Sequence, residues 1–254
     1  MTPTLRPVTS LVLLTLAACS QAASPERPAV LDALSAQGVS VVGEFPAGQG
    51  LRGFAAVIGD QPLAAYVTEG GQLIVGTRLD ADGERVDEAR LQQLVAVPAA
   101  EQAWQQLQDS AWVADGDDGA AQVIYTFSDP NCPYCHRFWE AARPWVDAGK
   151  VQLRHVMVGI IGADSPFKAA AILEAADRSA ALRQHELGFD RGGIGALPAL
   201  SAHSRKQLED HQQLMLGLGF SGTPGIVARN PDGSLRKING MPRPEAMQAL
   251  FGPL

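Results

Sequence analysis

The sequence predicts an α+β protein in which two units of unequal size are joined by a helical connector. Three observations carry this prediction. Short strand-like segments follow one another from residue 39 to residue 77, with Gly, Pro or Asp between them. A stretch rich in Glu, Gln and Ala, which are good helix formers, comes next. From residue 121 onward, apolar β-rich runs alternate with amphipathic helical segments, an order typical of helices packed on a central sheet.

The first 22 residues have the order of a secretory signal peptide. Arg6 is the only charged residue before position 19, an apolar run covers residues 11–18, and small residues follow. The apolar run is too short for a helix that spans a bilayer. We therefore expect an exported protein and assign residues 1–22 to the signal.

The end of this signal has two interpretations. Leu16-Ala17-Ala18-Cys19 resembles the bacterial lipoprotein cleavage box, which would end the signal at residue 18 and place a lipid on Cys19. The alternative is an ordinary cut after Ala22 or Ala23, because the residues before them are also small and uncharged. We favour the lipoprotein interpretation because cysteine is scarce in this chain and falls at the required position.

The first unit, residues 23–86, is small. A helix is predicted over residues 25–37, where Leu31 and Leu34 share an apolar face, and Gly38 ends it. Strands are predicted over residues 39–45, 51–58, 63–68 and 72–77. A unit of about 60 residues is marginal alone, because it buries too little of its surface. It commonly needs a partner surface, which a dimer would supply.

The connector, residues 87–114, is predicted to be helical as far as Trp112 and interrupted at Pro98. It carries two apolar stripes at helical spacing: Leu91, Leu94 and Val95, then Trp104, Leu107 and Ala111. The segment is either a linker between the units or the first helix of the second unit, and both descriptions can hold in part.

The second unit, residues 115–254, begins with a polar turn. Buried strands are predicted over residues 121–127 and 151–158, because these runs are apolar and rich in β-branched residues. Its other predicted elements are a helix over 132–148 that Pro144 should kink, helices over 165–187 and 204–218, strands over 225–228 and 234–238, and a closing helix over 244–251.

Composition limits the classes of function. The formal net charge is −7, which argues against a general nucleic-acid binder, since that needs a basic face. The chain has three cysteines, Cys19, Cys132 and Cys135, which cannot form a disulfide scaffold. The close pair spans too short a loop to brace a fold usefully, so its presence indicates reactivity. No cofactor is expected.

Cys132-Pro133-Tyr134-Cys135 lies where a predicted strand turns into a helix. The first cysteine would sit at the helix N-terminus, where free backbone N–H groups and the helix dipole favour the thiolate. Cys135 would sit one turn further on, within disulfide distance. Pro133 suits the first helical position because its missing N–H costs nothing there. Cys132 is thus expected to be an exposed nucleophile and Cys135 a more buried resolving thiol.

The alternative for this pair is half of a zinc site. No second Cys-x-x-Cys exists, and His203 and His211 are eight residues apart, outside the usual spacing, so no metal is expected. His136 follows the pair directly and could tune the thiolate, but a surface position on the first helical turn is the simpler interpretation. His155 lies in a strand and is expected to be a core or rim residue.

Thr223-Pro224 precedes a predicted strand, and an X-Pro bond there can be cis. From the residues alone, an ordinary turn and a functional loop are equally supported.

Together these features resemble the thioredoxin superfamily and, more closely, the periplasmic disulfide isomerases of the Dsb family. The resemblance covers essentially the whole mature chain. It is carried by the segment 127–135, Phe-Ser-Asp-Pro-Asn-Cys-Pro-Tyr-Cys, by residues 138–147 and by the tryptophans of the connector. Cys-Pro-Tyr-Cys favours the G type over the C type, which usually has Gly after its first cysteine and tends to carry a second, structural disulfide.

The resemblance implies a thioredoxin-fold catalytic domain with a helical insertion at about residues 163–220. It also implies a cystatin-like N-terminal dimerisation domain, a linker helix and a V-shaped homodimer. Thr223-Pro224 would be the cis-proline loop whose backbone binds substrate peptide beside the disulfide. Thr before this proline fits the isomerase branch, whereas the oxidase branch usually has Val. The lipoprotein box is a departure, since the relatives are expected to be soluble in the periplasm.

The expected function is therefore a periplasmic isomerase and reductase that reshuffles wrong disulfides and reduces oxidised cysteines, including sulfenic acids, of exported client proteins. A membrane electron donor of the DsbD type would keep the pair reduced. The alternative is a dithiol oxidase that donates its disulfide to clients, and the dimer-like first unit speaks against it. Chaperone activity in the cleft is a third possibility that is compatible with the first. Membrane contact is expected only through a lipid on Cys19.

Overall fold

The computed structural model describes residues 26–59 and 61–254. In that part of the chain two sheets form, one in each predicted unit. The predicted signal peptide and Cys19 lie outside the described residues. No helix of the described part is long and apolar enough to cross a membrane.

The first sheet is antiparallel and has the order β1-β2-β3-β4. Its strands are β1 (Ser40–Gly48), β2 (Leu51–Ile58), β3 (Gln61–Thr68) and β4 (Leu73–Val75). A 3₁₀ turn (Ala29–Leu31) and the short helix α1 (Asp32–Ser35) precede it. β1 runs beyond its predicted end and contains Pro46, which an edge strand tolerates because one side of it has no ladder to complete.

Both faces of this sheet are covered, so its middle strands bury consecutive residues rather than alternate ones. One face packs against the N-terminal helix through Leu31, Leu34, Val39, Phe54, Ala56, Ala65 and Val67. The other packs against the connector through Phe45, Ala47, Ala55, Ala64, Tyr66 and Val95. The small first unit therefore completes its core with residues from the connector.

The connector is one helical run without the predicted break at Pro98. It consists of α2 (Glu88–Leu91), a π-helical turn (Gln92–Ala96) and α3 (Val97–Asp109). Pro98 has no N–H to give to the carbonyl of Leu94 four residues earlier, and the wider π turn lies around that carbonyl. The helix ends before Trp112, and Val113 begins a strand that the sequence analysis placed in the connector.

The second sheet has the order β5-β7-β6-β8-β9. Its strands are β5 (Val113–Asp115), β6 (Gln122–Ser128), β7 (Val151–Met157), β8 (Gly225–Arg229) and β9 (Leu235–Asn239). β6 and β7 are parallel, whereas the other pairs are antiparallel.

One face of the second sheet is covered by α4 (Pro133–Asp147) and α8 (Pro244–Phe251) around Ile124, Phe138 and Leu153. The other face is covered by α3, where Trp104 packs edge-on against Tyr125 with ring centroids 5.1 Å apart. The first half of the connector thus belongs to the core of the first unit and its second half to the core of the second unit. The connector is therefore both a linker between the units and the first helix of the second unit.

The insertion between β7 and β8 contains α5 (Ser165–Leu173), α6 (Arg178–Leu187) and α7 (Ala202–Gly217). The sequence predicted helical structure throughout residues 165–187, and the structure divides this range into α5 and α6. Asp177 caps a new helix there, because its carboxylate accepts the N–H of Ala180 at 2.8 Å. The insertion shares an apolar cluster with Val113 and Met157 at the margin of the second sheet.

Candidate active site

The two cysteines lie where β6 gives way to α4. Cys132 is the N-cap residue of α4, Pro133 occupies the first helical position, and Cys135 lies one turn further on. The N–H of Cys135 donates to the Cys132 carbonyl at 3.1 Å and also lies 3.4 Å from Sγ of Cys132, so a donor of the helix start points at this sulfur. Both thiols are free. Tyr134, between them, is half exposed.

Cys132 is buried, with 2% of its surface exposed, and Cys135 is buried to the same degree at 3%. The expectation of an exposed nucleophile is therefore wrong for this reduced form. The loop that carries Thr223 lies over the sulfur, and the Cys132 thiol donates to the Thr223 carbonyl at 3.4 Å. The surface exposure of the two residues does not distinguish them; what separates the two thiols is the hydrogen bonds to the Cys132 sulfur and the deeper burial of the Cys135 sulfur.

The pKa of Cys132 is lowered to about 6, chiefly because the Cys135 thiol donates a hydrogen bond to it, while burial works in the opposite direction. The Thr223 side chain and the backbone N–H groups of Cys135 and Tyr134 lower this pKa further. Burial raises the pKa of Cys135 well above its ordinary value, and the neighbouring Cys132 adds to the effect. At neutral pH the pair therefore holds one thiolate and one thiol.

The Thr223-Pro224 peptide bond is cis, as the resemblance implied. The Pro224 carbonyl accepts the N–H of Gly240 at 2.8 Å, which leaves the Thr223 carbonyl as the backbone acceptor beside Cys132. Apart from the two thiols that it faces, the buried Thr223 hydroxyl has no hydrogen-bond partner. The loop thus meets the cysteines from the side opposite to α4.

A buried carboxylate that the sequence analysis missed ties this segment to the insertion. Asp129 accepts the N–H groups of Ile160 and Ile161 at 2.6 and 2.9 Å, and the Ser165 hydroxyl at 2.7 Å. Its neighbour Asn131 donates to the same Ser165 hydroxyl at 2.8 Å. An Asp directly after a buried apolar strand was the signal that could have identified it, because a buried carboxylate requires several donors.

His136 does not occupy the surface position that the sequence predicted. Only 14% of its side chain is exposed, and its Nδ1 lies 2.7 Å from Oε2 of the buried Glu186 in α6. The ring also stacks on Phe189, with centroids 4.3 Å apart and planes within 5°. The prediction failed because these partners lie about fifty residues away in the insertion, where no local pattern points to them.

His155 lies in the core at 1% exposure, and its Nδ1 is 3.1 Å from the Ser128 hydroxyl. Its Nε2 is 3.6 Å from Asp115. Although burial alone would raise the pKa of Asp115, the neighbouring His155 and the two hydrogen bonds from Arg143 hold it at about 2. The cluster braces β5 against α4. Among the described residues, no group of three or more His, Cys, Asp or Glu side chains could hold a metal ion.

Comparisons with known proteins identify the family to which this chain is similar. A family model described as "Thioredoxin-like domain" matches residues 113–252. The chain is 43% identical to the thiol:disulfide interchange protein DsbG of Pseudomonas aeruginosa over 91% of each chain. It is 34% identical to the protein of the same name from Escherichia coli, over 89% of this chain and 92% of that one. The solved DsbG of Helicobacter pylori is 18% identical, with a TM-score of 0.41 over 78% of this chain and 98% of that one.

Proposed function

The chain belongs to the thiol:disulfide interchange proteins of the DsbG type, and we propose that it reshuffles and reduces disulfides of exported proteins through Cys132 and Cys135. The observation that carries the proposal is the opposite displacement of the two thiol pKa values. The pKa of Cys132 is lowered to about 6, so Cys132 is the thiolate that attacks. The pKa of Cys135 is raised, so Cys135 remains a thiol until it resolves the mixed disulfide.

The reaction begins when the Cys132 thiolate attacks one sulfur of a client disulfide. A mixed disulfide forms, and the other client sulfur leaves as a thiolate. In isomerisation, a client thiolate attacks the mixed disulfide and releases Cys132 unchanged. In reduction, Cys135 loses its proton and attacks Sγ of Cys132, the bond between Cys132 and the client sulfur breaks, and that sulfur leaves as a second thiolate. Two electrons have then passed to the client, and the Cys132–Cys135 disulfide remains.

A sulfenic acid is a second substrate for the same thiolate. Attack of Cys132 on the sulfenic sulfur expels hydroxide, which leaves as water, and forms the same mixed disulfide. Cys135 resolves it as before. A donor of the DsbD type would then return both cysteines to the thiol form.

Trapping tests the assignment of the two cysteines. In Cys135→Ala the mixed disulfide has no resolving thiol, so clients should remain bound to Cys132 through a bond that reductant breaks. Cys132→Ala should trap none. Mass spectrometry of the captured proteins would name the clients, and equal trapping by both variants would contradict the roles.

The second candidate is a dithiol oxidase, and the lowered pKa of Cys132 favours it, because a stabilised thiolate makes the disulfide form more oxidising. The first unit favours the isomerase. Scrambled ribonuclease separates the two activities: an isomerase restores its activity without added oxidant. A monomer that oxidises reduced ribonuclease but does not reshuffle the scrambled form would overturn our choice.

The first unit supports a homodimer. Its strand β4 ends the sheet, and the half-exposed apolar side chains of Ile74, Val75, Leu79 and Val86 lie on β4 and the loop after it. Such an edge with apolar neighbours is a surface for a second copy. Ile74→Lys should turn a dimer into a monomer in light-scattering measurements, while Ile161→Lys, on an equally exposed residue of the second unit, should not.

The place of action proposed is the periplasm, with a lipid on Cys19 as the anchor. The signal pattern and the DsbG relatives support export. A diacylglycerol mass on Cys19 is the expected result for the mature protein, and a mature chain that begins after Ala22 would contradict the anchor.

A further inference from the structure

The contact between His136 and Glu186 has no part in the exchange steps above. His136 lies in the first turn of α4, directly after Cys135, and its ring is held on two sides, by Glu186 and by Phe189. The Glu186 side chain is only 5% exposed. A buried carboxylate needs a hydrogen-bonding or charged partner, and Nδ1 of His136 lies 2.7 Å from Oε2 of Glu186.

The residue before Glu186 holds the other side of the active-site turn. The His185 side chain makes a hydrogen bond to the Pro130 backbone, and its Nδ1 accepts the N–H of Ile194 at 3.1 Å. Two successive residues at the end of α6 therefore hold residues 130 and 136. Cys132 lies between these two attachment points.

The geometry that serves the Cys132 sulfur depends on the turn between these attachments. The N–H groups of Cys135 and His136 both donate to the Cys132 carbonyl, at 3.1 and 3.2 Å, and the former also lies 3.4 Å from the sulfur. A shift of His136 would move these donors, because its backbone N–H belongs to the same turn.

We propose that His136 and Glu186 are a positioning pair, through which the helical insertion holds the first turn of α4 in the geometry that favours the Cys132 thiolate. The proposal rests on the redox role of Cys132 proposed above. It assigns the insertion a part in the chemistry of the site, in addition to any part in binding clients.

A direct charge effect would act with the opposite sign, which makes the two explanations separable. The charged groups that face His136 are Glu186 and, on the solvent side, Glu140 at 3.6 Å, while His185 lies beyond Phe189. Removal of a nearby carboxylate by itself favours a neighbouring anion and would lower the pKa of Cys132. Loss of positioning weakens the hydrogen bonds to the sulfur and raises that pKa.

The experiment titrates the Cys132 thiolate by its ultraviolet absorbance in Glu186→Ala, with Glu140→Ala as the matched control from the exposed side of the same ring. We expect the pKa in Glu186→Ala to rise by about one unit, which corresponds to a roughly tenfold smaller equilibrium constant for oxidation of glutathione by the disulfide form. Glu140→Ala should leave both values unchanged. An unchanged or lowered pKa in Glu186→Ala would overturn the proposal.

Phe189→Leu keeps Glu186 and removes only the stacking, so it serves if Glu186→Ala fails to fold. Its pKa should rise by a smaller amount, and a folded Phe189→Leu with the wild-type pKa would then overturn the proposal. Glu186→Gln retains a hydrogen-bonding group for the ring and should restore most of the wild-type value. A wild-type protein that never forms the Cys132–Cys135 disulfide would instead contradict the proposed function.

Discussion

The two sheets of this protein differ in how they obtain a core. The second sheet has the helices α4 and α8 of its own unit on one face and the connector helix α3 on the other. The first sheet has a short helix on one face and takes the connector for the other. It also keeps an edge strand with exposed apolar neighbours. Each sheet thus takes one half of the connector into its core, but only the second sheet has two longer helices of its own on the remaining face, so the smaller unit depends more on what adjoins it.

This difference predicts that chemistry and assembly can be lost separately. The largest effect is expected from Cys132→Ser, which replaces the thiolate by a hydroxyl that is not ionised at neutral pH. Exchange with a disulfide substrate should fall to the uncatalysed rate, a loss of at least about 100-fold. Light scattering should give the same assembly state as in the wild type, and a change there would show that the units are coupled.

Leu107→Ala tests the half of the connector that belongs to the second core. Leu107 is fully buried against the second sheet, so its truncation should lower the free energy of unfolding by ~3 kcal/mol. Denaturant unfolding followed by tryptophan fluorescence reports this unit, because all four tryptophans lie at or after residue 104, and hydrogen exchange in β1–β3 reports the first unit. Val95→Ala is the matched truncation in the other half, and it should affect the first unit by ~1.5 kcal/mol. Equal loss in both units from either variant would contradict the division of the connector.

Local signals in the sequence were sufficient for the chemistry but not for its surroundings. Cys132 and Cys135 could be placed because the strand-to-helix turn and Pro133 are readable within a few residues. Strand β5 was missed because it has three residues and forms only by pairing with β7, about forty positions later. The environment of His136 was missed for the same reason, since Glu186 reaches it from a distant segment. The position of Thr223 beside Cys132 was expected from the resemblance, but no local pattern showed that it would cover the sulfur.

A buried ion pair holds the first unit to the connector, and its loss should have an intermediate effect. Arg78 donates to both carboxylate oxygens of Asp87, at 2.7 and 2.8 Å, and to the Ala47 carbonyl at 2.6 Å. Tyr66 donates to the same carboxylate at 2.8 Å. Arg78→Ala leaves that carboxylate short of a partner and should destabilise the first unit by ~2 kcal/mol.

The measurement for Arg78→Ala is hydrogen exchange resolved by segment, together with the rate of exchange with glutathione disulfide. Protection should fall in β1–β3 and stay constant in β6 and β7, and the glutathione rate should not change. Arg85→Ala is the control, because its contact with Glu88 at 3.3 Å is exposed and such pairs contribute little. A slower glutathione reaction in Arg78→Ala would show that the first unit supports the active site.

The stability of the two units should also depend on pH, in a different range for each unit. Arg78 lowers the pKa of Asp87, so the stability that this carboxylate contributes to the first unit is present above its unfolded pKa of about 4 and is lost as the pH falls below it. The pKa of Cys132 is lowered to about 6, so the reduced second unit gains stability as the pH rises from about 6 towards the unfolded thiol pKa near 8.5. The gain is at most ~1.4 kcal/mol per pH unit. Above that range the raised pKa of Cys135 reverses the trend, because the unfolded thiol ionises first.

Denaturant unfolding of the reduced protein, the oxidised protein and Cys132→Ser across pH 3–9 tests this assignment. The rise above pH 6 should vanish in the oxidised protein and in Cys132→Ser, while the loss near pH 4 should persist in both. A rise that survives in Cys132→Ser would mean that another group, and not the thiolate, stabilises the reduced second unit.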